Sequence, residues 1–362
     1  MQTVIAQLYQ DLDGRIPGMT GQAGQKTEKK TGNIAGTGNK AANKTGRNTR
    51  NNPGKETGNK TNALLNNAHV VQIQNKARKA GIQVKLAAHY VDFIKDGKIL
   101  RISLKHFIYS YDMIDSFDYY FSSVEPMEFQ GYELVDYSTP RYHHVVGFGL
   151  MPIHFPSLSE PVATTYQYLE FADLKAGQNV IDLGAYAGLT SIIFKEFVGS
   201  TGRVIALDAD QYNLQSIQKN IDLYTRIRGD VIEAFAGAIW NHGNGLSFSS
   251  EGNMGAAVSH ILGANRGDTQ VVESVTLSGL MQVADLPSVD FIKCDVEGAE
   301  SVVFEDREFF ANHRPKIVIE THLVNGSATA DKCIQDLSAY GYTCTKVAQV
   351  GATLPLIECR PS

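Results

Sequence analysis

The stretch VIDLGAYAGLTS, Val180–Ser191, constrains the fold more than any other. Val180, Ile181 and Leu183 surround Asp182 in the pattern of a buried strand that is about to end, and glycines follow at 184 and 188. The next run, LTSIIFKEFV, sets Leu189, Ile192, Ile193 and Phe197 on one face of a helix. A strand, a glycine turn and a helix in that order let a ligand approach bare backbone and a helix N-terminus. Sheets built from such units bind their ligands at the carboxyl ends of their strands.

The acids near this turn narrow the ligand. A dinucleotide site calls for G-x-G-x-x-G, whereas the spacing here is G-x-x-x-G with Asp182 two residues before the first glycine. Asp208 closes the strand-like run RVIALD and Asp295 closes FIKCD. If the three strands run parallel, their acids meet at one sheet edge, where carboxylates repel a diphosphate and suit a cation. S-adenosylmethionine (SAM) is such a ligand: it carries a sulfonium, an ammonium and a ribose diol, and no phosphate. Asp208 alone is compatible with NAD, whose ribose also takes an acid; Asp182 and Asp295 together favour SAM. Any one of the acids by itself reads as a solvated strand end.

The 362 residues, 43% of them apolar, allow a large core and more than one domain. Charge is unevenly spread: residues 20–62 hold nine Lys and Arg against two Glu, so the formal net charge of −5 leaves −12 for the rest. So acidic a body predicts no nucleic-acid partner. No run is long and apolar enough to predict a membrane span. The opening MQTVIAQLYQDLDG lacks a basic flank and a long apolar core, so it predicts no signal peptide. Cys294, Cys333, Cys344 and Cys359 contain no C-x-x-C pair, which argues against zinc and disulfides and predicts a reducing, cytoplasmic setting.

Along the chain, residues 1–17 predict a short amphipathic helix or tail, and 18–62, rich in Gly, Asn, Thr and Lys, a disordered linker. Residues 63–159 predict an α+β cap or substrate region. It starts with a helix over 63–80, followed by a hairpin turning at Asp96-Gly97. The periodicity of 106–124 predicts one helix, with Tyr119, Tyr120 and Phe121 in its core face, and 139–161 predicts a shaped loop. Residues 160–362 predict the ligand-binding domain. There strands alternate with helices, except over 241–288, and YTCTKVAQ and TLPLIECR close the chain as two strands without a helix between them. A doubly wound sheet whose last strand folds back antiparallel is the Rossmann-like α/β fold of class I SAM-dependent methyltransferases.

From about Glu160 onward, VIDLGAYAG, VIALDAD, VDFIKCDVEGAE and PKIVIETH, in that order, resemble the FkbM family of SAM-dependent methyltransferases, most specifically in DVEGAE, Asp295–Glu300. The resemblance implies transfer of a methyl group, with hydroxyls of sugars, glycans, lipids or secondary metabolites as acceptors. It implies that Asp182, Gly184, Tyr186 and Gly188 form the first SAM loop, that Asp208 takes the ribose, and that Ala238 lies near the adenine. Two departures stand out: Asp208-Ala209 replaces a common Glu-Pro, and Tyr186 replaces a small polar residue.

An alcohol is a weak nucleophile, so oxygen methylation calls for a base or a metal. Asp295 and Glu297 follow one strand; Glu320 and His322 follow the next and alternate toward one side. His322 or Asp295 is the candidate base, and Glu297 or Glu320 its orienting partner. Alternatively, Asp295 binds the cofactor's ammonium, and Glu297 or Glu300 caps the following helix. The four donors could also hold Mg²⁺, although no dedicated metal spacing marks a site. His143, His144 and Tyr166 are candidate acceptor contacts. Competing readings are an NAD-dependent oxidoreductase and a non-catalytic SAM-binding scaffold. The oligomeric state is not legible.

Overall fold

The computed structural model describes residues 67–250, 252, 257–258 and 268–362. The expected N-terminal helix or tail (1–17) and linker (18–62) lie outside the described residues. Ile73–Ser362 form one compact unit.

The chain first builds a small sheet. Helix α1 (Asn67–Lys79) leads to β1 (Gln83–Leu86), β2 (Tyr90–Lys95) and β3 (Lys98–Ser103). Asp96 and Gly97 join β2 to β3 at φ 49° and 77°, the paired left-handed conformations of a two-residue hairpin. A 3₁₀ turn (Leu104–Tyr109) and two short helices, α2 (Ser110–Asp115) and α3 (Phe117–Ser122), replace the single helix expected over 106–124. His106 and Ser116 leave helical geometry and break the run. β4 (Met127–Phe129) and β5 (Tyr132–Tyr137) complete the sheet in the order β1-β2-β3-β5-β4. The expected loop over 139–161 contains a two-stranded hairpin, β6 (Arg141–His143) with β7 (Ile153–Phe155).

Helix α4 (Val162–Ala172) leads into the larger sheet. β8 (Asn179–Leu183), α5 (Leu189–Val198), β9 (Arg203–Asp208), α6 (Gln211–Arg228) and β10 (Glu233–Ala236) follow in strict alternation. The extended chain after β10 turns at Gly237, so β11 (Ala238–Ile239) leaves the main sheet. An excursion holds β12 (Leu246–Ser250), β13 (Ala257–Val258), β14 (Asp268–Val272), β15 (Ser274–Val275) and α7 (Leu277–Val283). β16 (Phe291–Cys294), α8 (Glu300–Val303), α9 (Arg307–Asn312) and β17 (Lys316–Glu320) resume the alternation. The helical stretch after β16 is broken between α8 and α9, where Asp306 caps α9 by accepting from Phe309 N. A small hairpin, β18 (Leu323–Val324) and β19 (Ser327–Ala328), precedes α10 (Ala330–Ala339), β20 (Tyr342–Val347) and β21 (Leu356–Pro361).

The seven strands order as β10-β9-β8-β16-β17-β21-β20. All pair in parallel except β21, which runs antiparallel to both β17 and β20. The last strand thus folds back between its predecessors, as the closing pattern without a helix predicts; this is the class I SAM methyltransferase fold. Both faces of β8, β9, β16 and β17 are covered, so these strands read as continuous apolar runs rather than alternating ones. The disulfide expectation is corrected here. Antiparallel pairing sets Cys344 opposite Cys359 with Cα atoms 4.1 Å apart, and the two form a disulfide; Cys294 and Cys333 remain free and buried. No helix among the described residues is long and apolar enough to cross a membrane.

Candidate functional site: two clefts with a shared acidic wall

The parallel pairing of β9, β8 and β16 brings their carboxyl ends, and so Asp208, Asp182 and Asp295, to one edge of the sheet. The turn after β8 is fixed by its glycines. Gly184 (φ 74°) passes so close to the end of β16 that a Cβ there would lie 1.8 Å from the Asp295 carbonyl oxygen. Gly184 N and Ala185 N both donate to Leu207 O, at 2.9 and 3.0 Å. Gly188 (φ 79°) begins α5, and Tyr186 (φ 50°) lies between the glycines in the same left-handed region. That conformation is costly for a bulky residue, and burial of the ring balances it. Tyr186 is 3% exposed and donates its hydroxyl to Leu158 O at 2.6 Å.

One cleft of about 590 Å³ opens over this turn, lined by Gly184, Tyr186, Asp208, Asn213, Ala238 and Phe248 among others. Asp208 accepts from Tyr186 N and from Asp210 N, each at 2.8 Å, and Asn213 lies 3.3 Å from it. Burial pushes its carboxyl up to about 7 against those hydrogen bonds. Ala238, Ile239 and Phe248 give this cleft an apolar wall. Among the described residues no lysine or arginine lines it.

A second cleft, about 770 Å³, opens over the ends of β16 and β17. Tyr119, Tyr120 and Tyr168 contribute rings, and Lys293, Glu320 and His322 contribute charge. Glu160, Asp295 and Glu297 line both clefts. His322 Nδ1 donates to Glu300 Oε1 at 3.0 Å, and its Nε2 faces Asp295 and Glu297 at 3.5 and 3.7 Å. Burial works against the imidazolium, yet Glu297, Glu300 and Asp295 hold it well above the ordinary histidine range. One donor atom each from Asp295, Glu320 and His322 lie within 4.8 Å of one another. Burial also pushes Glu160 and Glu320 up.

The other residues singled out from sequence lie as follows. Asp182 is fully buried and lines neither cleft: Ser191 donates to it at 2.5 Å and Lys293 Nζ lies 3.3 Å away. Lys293 in turn donates to Gly184 O at 2.7 Å. Burial works against its charge, but Asp182, Asp295 and Glu160 outweigh it and hold Lys293 above the ordinary lysine range. The Asp182–Lys293 pair thus tethers the glycine turn rather than facing a ligand. His143 is buried against Tyr137 and Phe155, and burial lowers it to about 4; His144 is exposed. Tyr166 donates to Gly147 O at 3.2 Å, and its neighbour Tyr168 reaches the second cleft instead.

Sequence reasoning missed Lys293, Glu160 and the tyrosines at 119 and 120. Lys293 carried one available signal, a charge within the apolar run VDFIKCD. Glu300, read as a helix cap, does more than that. Its fully buried carboxylate accepts from Val296 N (2.9 Å) and Gly298 N (3.0 Å) while it holds His322.

The model of the methyltransferase FkbM domain matches residues 182–344. This segment is similar to the FkbM methyltransferase domain. The match includes the first-cleft turn, Asp208 and all four donors from Asp295 to His322. No curated protein matches the chain. Among solved structures, an FkbM methyltransferase from Methylobacillus flagellatus KT is similar at 16% identity and a TM-score of 0.37 over 54% of this chain, which spans 50% of that protein. A precorrin-6y C5,15-methyltransferase from Geobacter metallireducens GS-15 is similar at 15% identity and TM-score 0.34, covering 55% of this chain and 87% of that one. An O-methyltransferase from Bacillus cereus in complex with SAH is similar at 16% and 0.35, covering 56% and 82%.

Proposed function

We propose that the FkbM domain transfers the methyl group of SAM to a hydroxyl of a small molecule or glycan, such as a sugar, lipid or secondary metabolite. The observation that supports this reading is the wall of Glu160, Asp295 and Glu297 common to both clefts, across which a cofactor and an acceptor would lie side by side. The first cleft fits SAM: Asp208 offers acceptors for a ribose diol, Ala238, Ile239 and Phe248 offer an apolar wall for a purine, and the acids suit a cation. Among the described residues a diphosphate would find no cationic side chain there, so NAD fits less well. Gly184, Tyr186 and Gly188 shape the turn beneath the cofactor.

Bound there, SAM supplies an electrophilic methyl; a C–O bond forms as the C–S bond breaks, leaving S-adenosylhomocysteine. The protein's residues supply alignment and proton removal. Asp295 and Glu297 reach both clefts and take the hydroxyl proton, while His322, held by Glu300, orients them from the far side. Tyr119, Tyr120 and Tyr168 form the rings against which an acceptor rests. The test is calorimetric titration with SAM, followed by incubation of extracts with the protein and isotopically labelled SAM. Tight SAM binding and a labelled methyl ether are expected. Binding of NAD in place of SAM, or label on nitrogen or carbon alone, would defeat the reading.

A further inference from the structure

Resting on the methyl-transfer reading of the second cleft, we propose that Asp295, Glu320 and His322 form a binding site for a hard divalent cation, Mg²⁺ or Mn²⁺, beside the acceptor. Three observations converge. The three donors come from the ends of adjacent parallel strands, β16 and β17, and lie within 4.8 Å of one another at the cleft. Ligand atoms set about 2.1 Å from one ion stand at most about 4.2 Å apart, so a small inward movement suffices. Two carboxylates, one imidazole and open water positions suit Mg²⁺ or Mn²⁺ better than a soft metal.

The second observation is how His322 is held. Glu300, fully buried and outside the donor set, accepts a hydrogen bond from Nδ1 at 3.0 Å, so Nε2 is the nitrogen that gives up its proton to a cation. This aims Nε2 toward Asp295 at 3.5 Å. A carboxylate behind the ring, fixing its tautomer and turning the other nitrogen outward, is the usual support of a metal-ligating histidine. Glu300 is itself anchored by Val296 N and Gly298 N, so the support is rigid.

The third observation is charge. Among the described residues, the carboxylates of Asp295, Glu297 and Glu300 surround His322, and Glu160 and Glu320, which burial pushes toward the neutral acid, line the same cleft. Lys293 is occupied at the β8 end, 3.3 Å from Asp182 and bonded to Gly184 O. SAM contributes one net positive charge, in the first cleft. A divalent ion there would offset the Asp295 and Glu297 carboxylates and favour the ionised form of Glu320 over the neutral acid. With Asp295 on the ion, Glu297 is left to take the acceptor proton.

Electron paramagnetic resonance of the full chain titrated with MnCl₂ tests this. One Mn²⁺ per chain should bind, and its spin echo should be modulated by a directly bound imidazole nitrogen. Glu320→Gln should weaken Mn²⁺ at least tenfold, and Glu300→Gln, acting through His322, about 10–100-fold. Because Glu320 lines only the second cleft, SAM affinity of Glu320→Gln, measured by calorimetry, should stay within about twofold; this also shows that the variant is folded. Absence of Mn²⁺ binding at millimolar concentration while SAM still binds would overturn the cation site and leave the methyl-transfer reading standing. Binding without nitrogen modulation, or binding that Glu320→Gln leaves unchanged, would also overturn it.

Discussion

Both clefts share the wall of Glu160, Asp295 and Glu297, but the cleft over Asp208 is otherwise made largely of backbone turns and apolar side chains, whereas the cleft over His322 adds tyrosine rings, Lys293 and Glu320. The first draws on consecutive strand ends: the turn after β8, Asp208 at the end of β9, and Ala238 just past β10. Its shape follows from main-chain geometry, which few substitutions can alter without breaking the sheet. The second gathers residues as far apart in sequence as Tyr119, Glu160, Glu320 and Gly351. Its shape follows from side chains on separate elements, each free to change alone. On the proposed methyl-transfer reading, the contrast teaches that one half of the site is fixed by the fold for a common reagent, and the other half sets acceptor choice.

Gly184→Ala should have the largest effect and should damage both clefts together. A methyl placed 1.8 Å from Asp295 O, on a residue at φ 74°, forces β8 and β16 apart. A stability loss of about 3–5 kcal/mol is expected in denaturant titrations. A near-neutral result would mean that the two strand ends are not coupled.

A pH series separates the clefts. Burial raises Asp208 to about 7, and on the proposed reading it has to be ionised to accept both ribose hydroxyls of SAM. SAM affinity should therefore rise about tenfold between about pH 6 and pH 8, and Asp208→Asn should flatten that slope in calorimetry. Stability has the opposite sign. An acid whose folded value lies above its unfolded one holds extra protons in the folded state, so its contribution falls as pH rises from about 4 to about 7. Tightening of SAM with pH while the apoprotein loses stability would fit Asp208; parallel trends would not.

The smallest effect belongs to the second cleft alone. Gln167 bridges Ala348 O (2.5 Å) and Val350 N (3.1 Å), pinning the β20–β21 loop whose Gln349, Val350 and Gly351 line the mouth. Gln167→Ala should raise the KM for the acceptor about fivefold, the equivalent of one net hydrogen bond, and leave SAM affinity unchanged. An equal change in both constants would erase the distinction between the clefts.

The same contrast explains what could be read from sequence. The first cleft was legible because apolar runs ending in Asp208 and Asp295, with glycines at 184 and 188, encode a parallel sheet edge locally. The closing hairpin was legible because YTCTKVAQ and TLPLIECR leave no room for a helix. Asp182 shows the limit: its place beside the glycine turn is legible, but not that Lys293, 111 positions later, turns inward to meet it. Tyr119 and Tyr120 obey a helical period as core residues would, yet breaks near 106 and 116 rotate them toward the second cleft. His143 sits in a polar-looking segment, yet Tyr137 and Phe155 close over it. Cys344 and Cys359 meet only through strand register, which spacing alone does not give.

The contact between Gly184 and the Asp295 carbonyl bears on how this scaffold can be recombined. A chimaera that imports the β8 turn from another enzyme of the fold has to import the end of β16 with it. The two segments are neighbours in space with no chain between them that could absorb a mismatch, so crossover points belong outside residues 180–300.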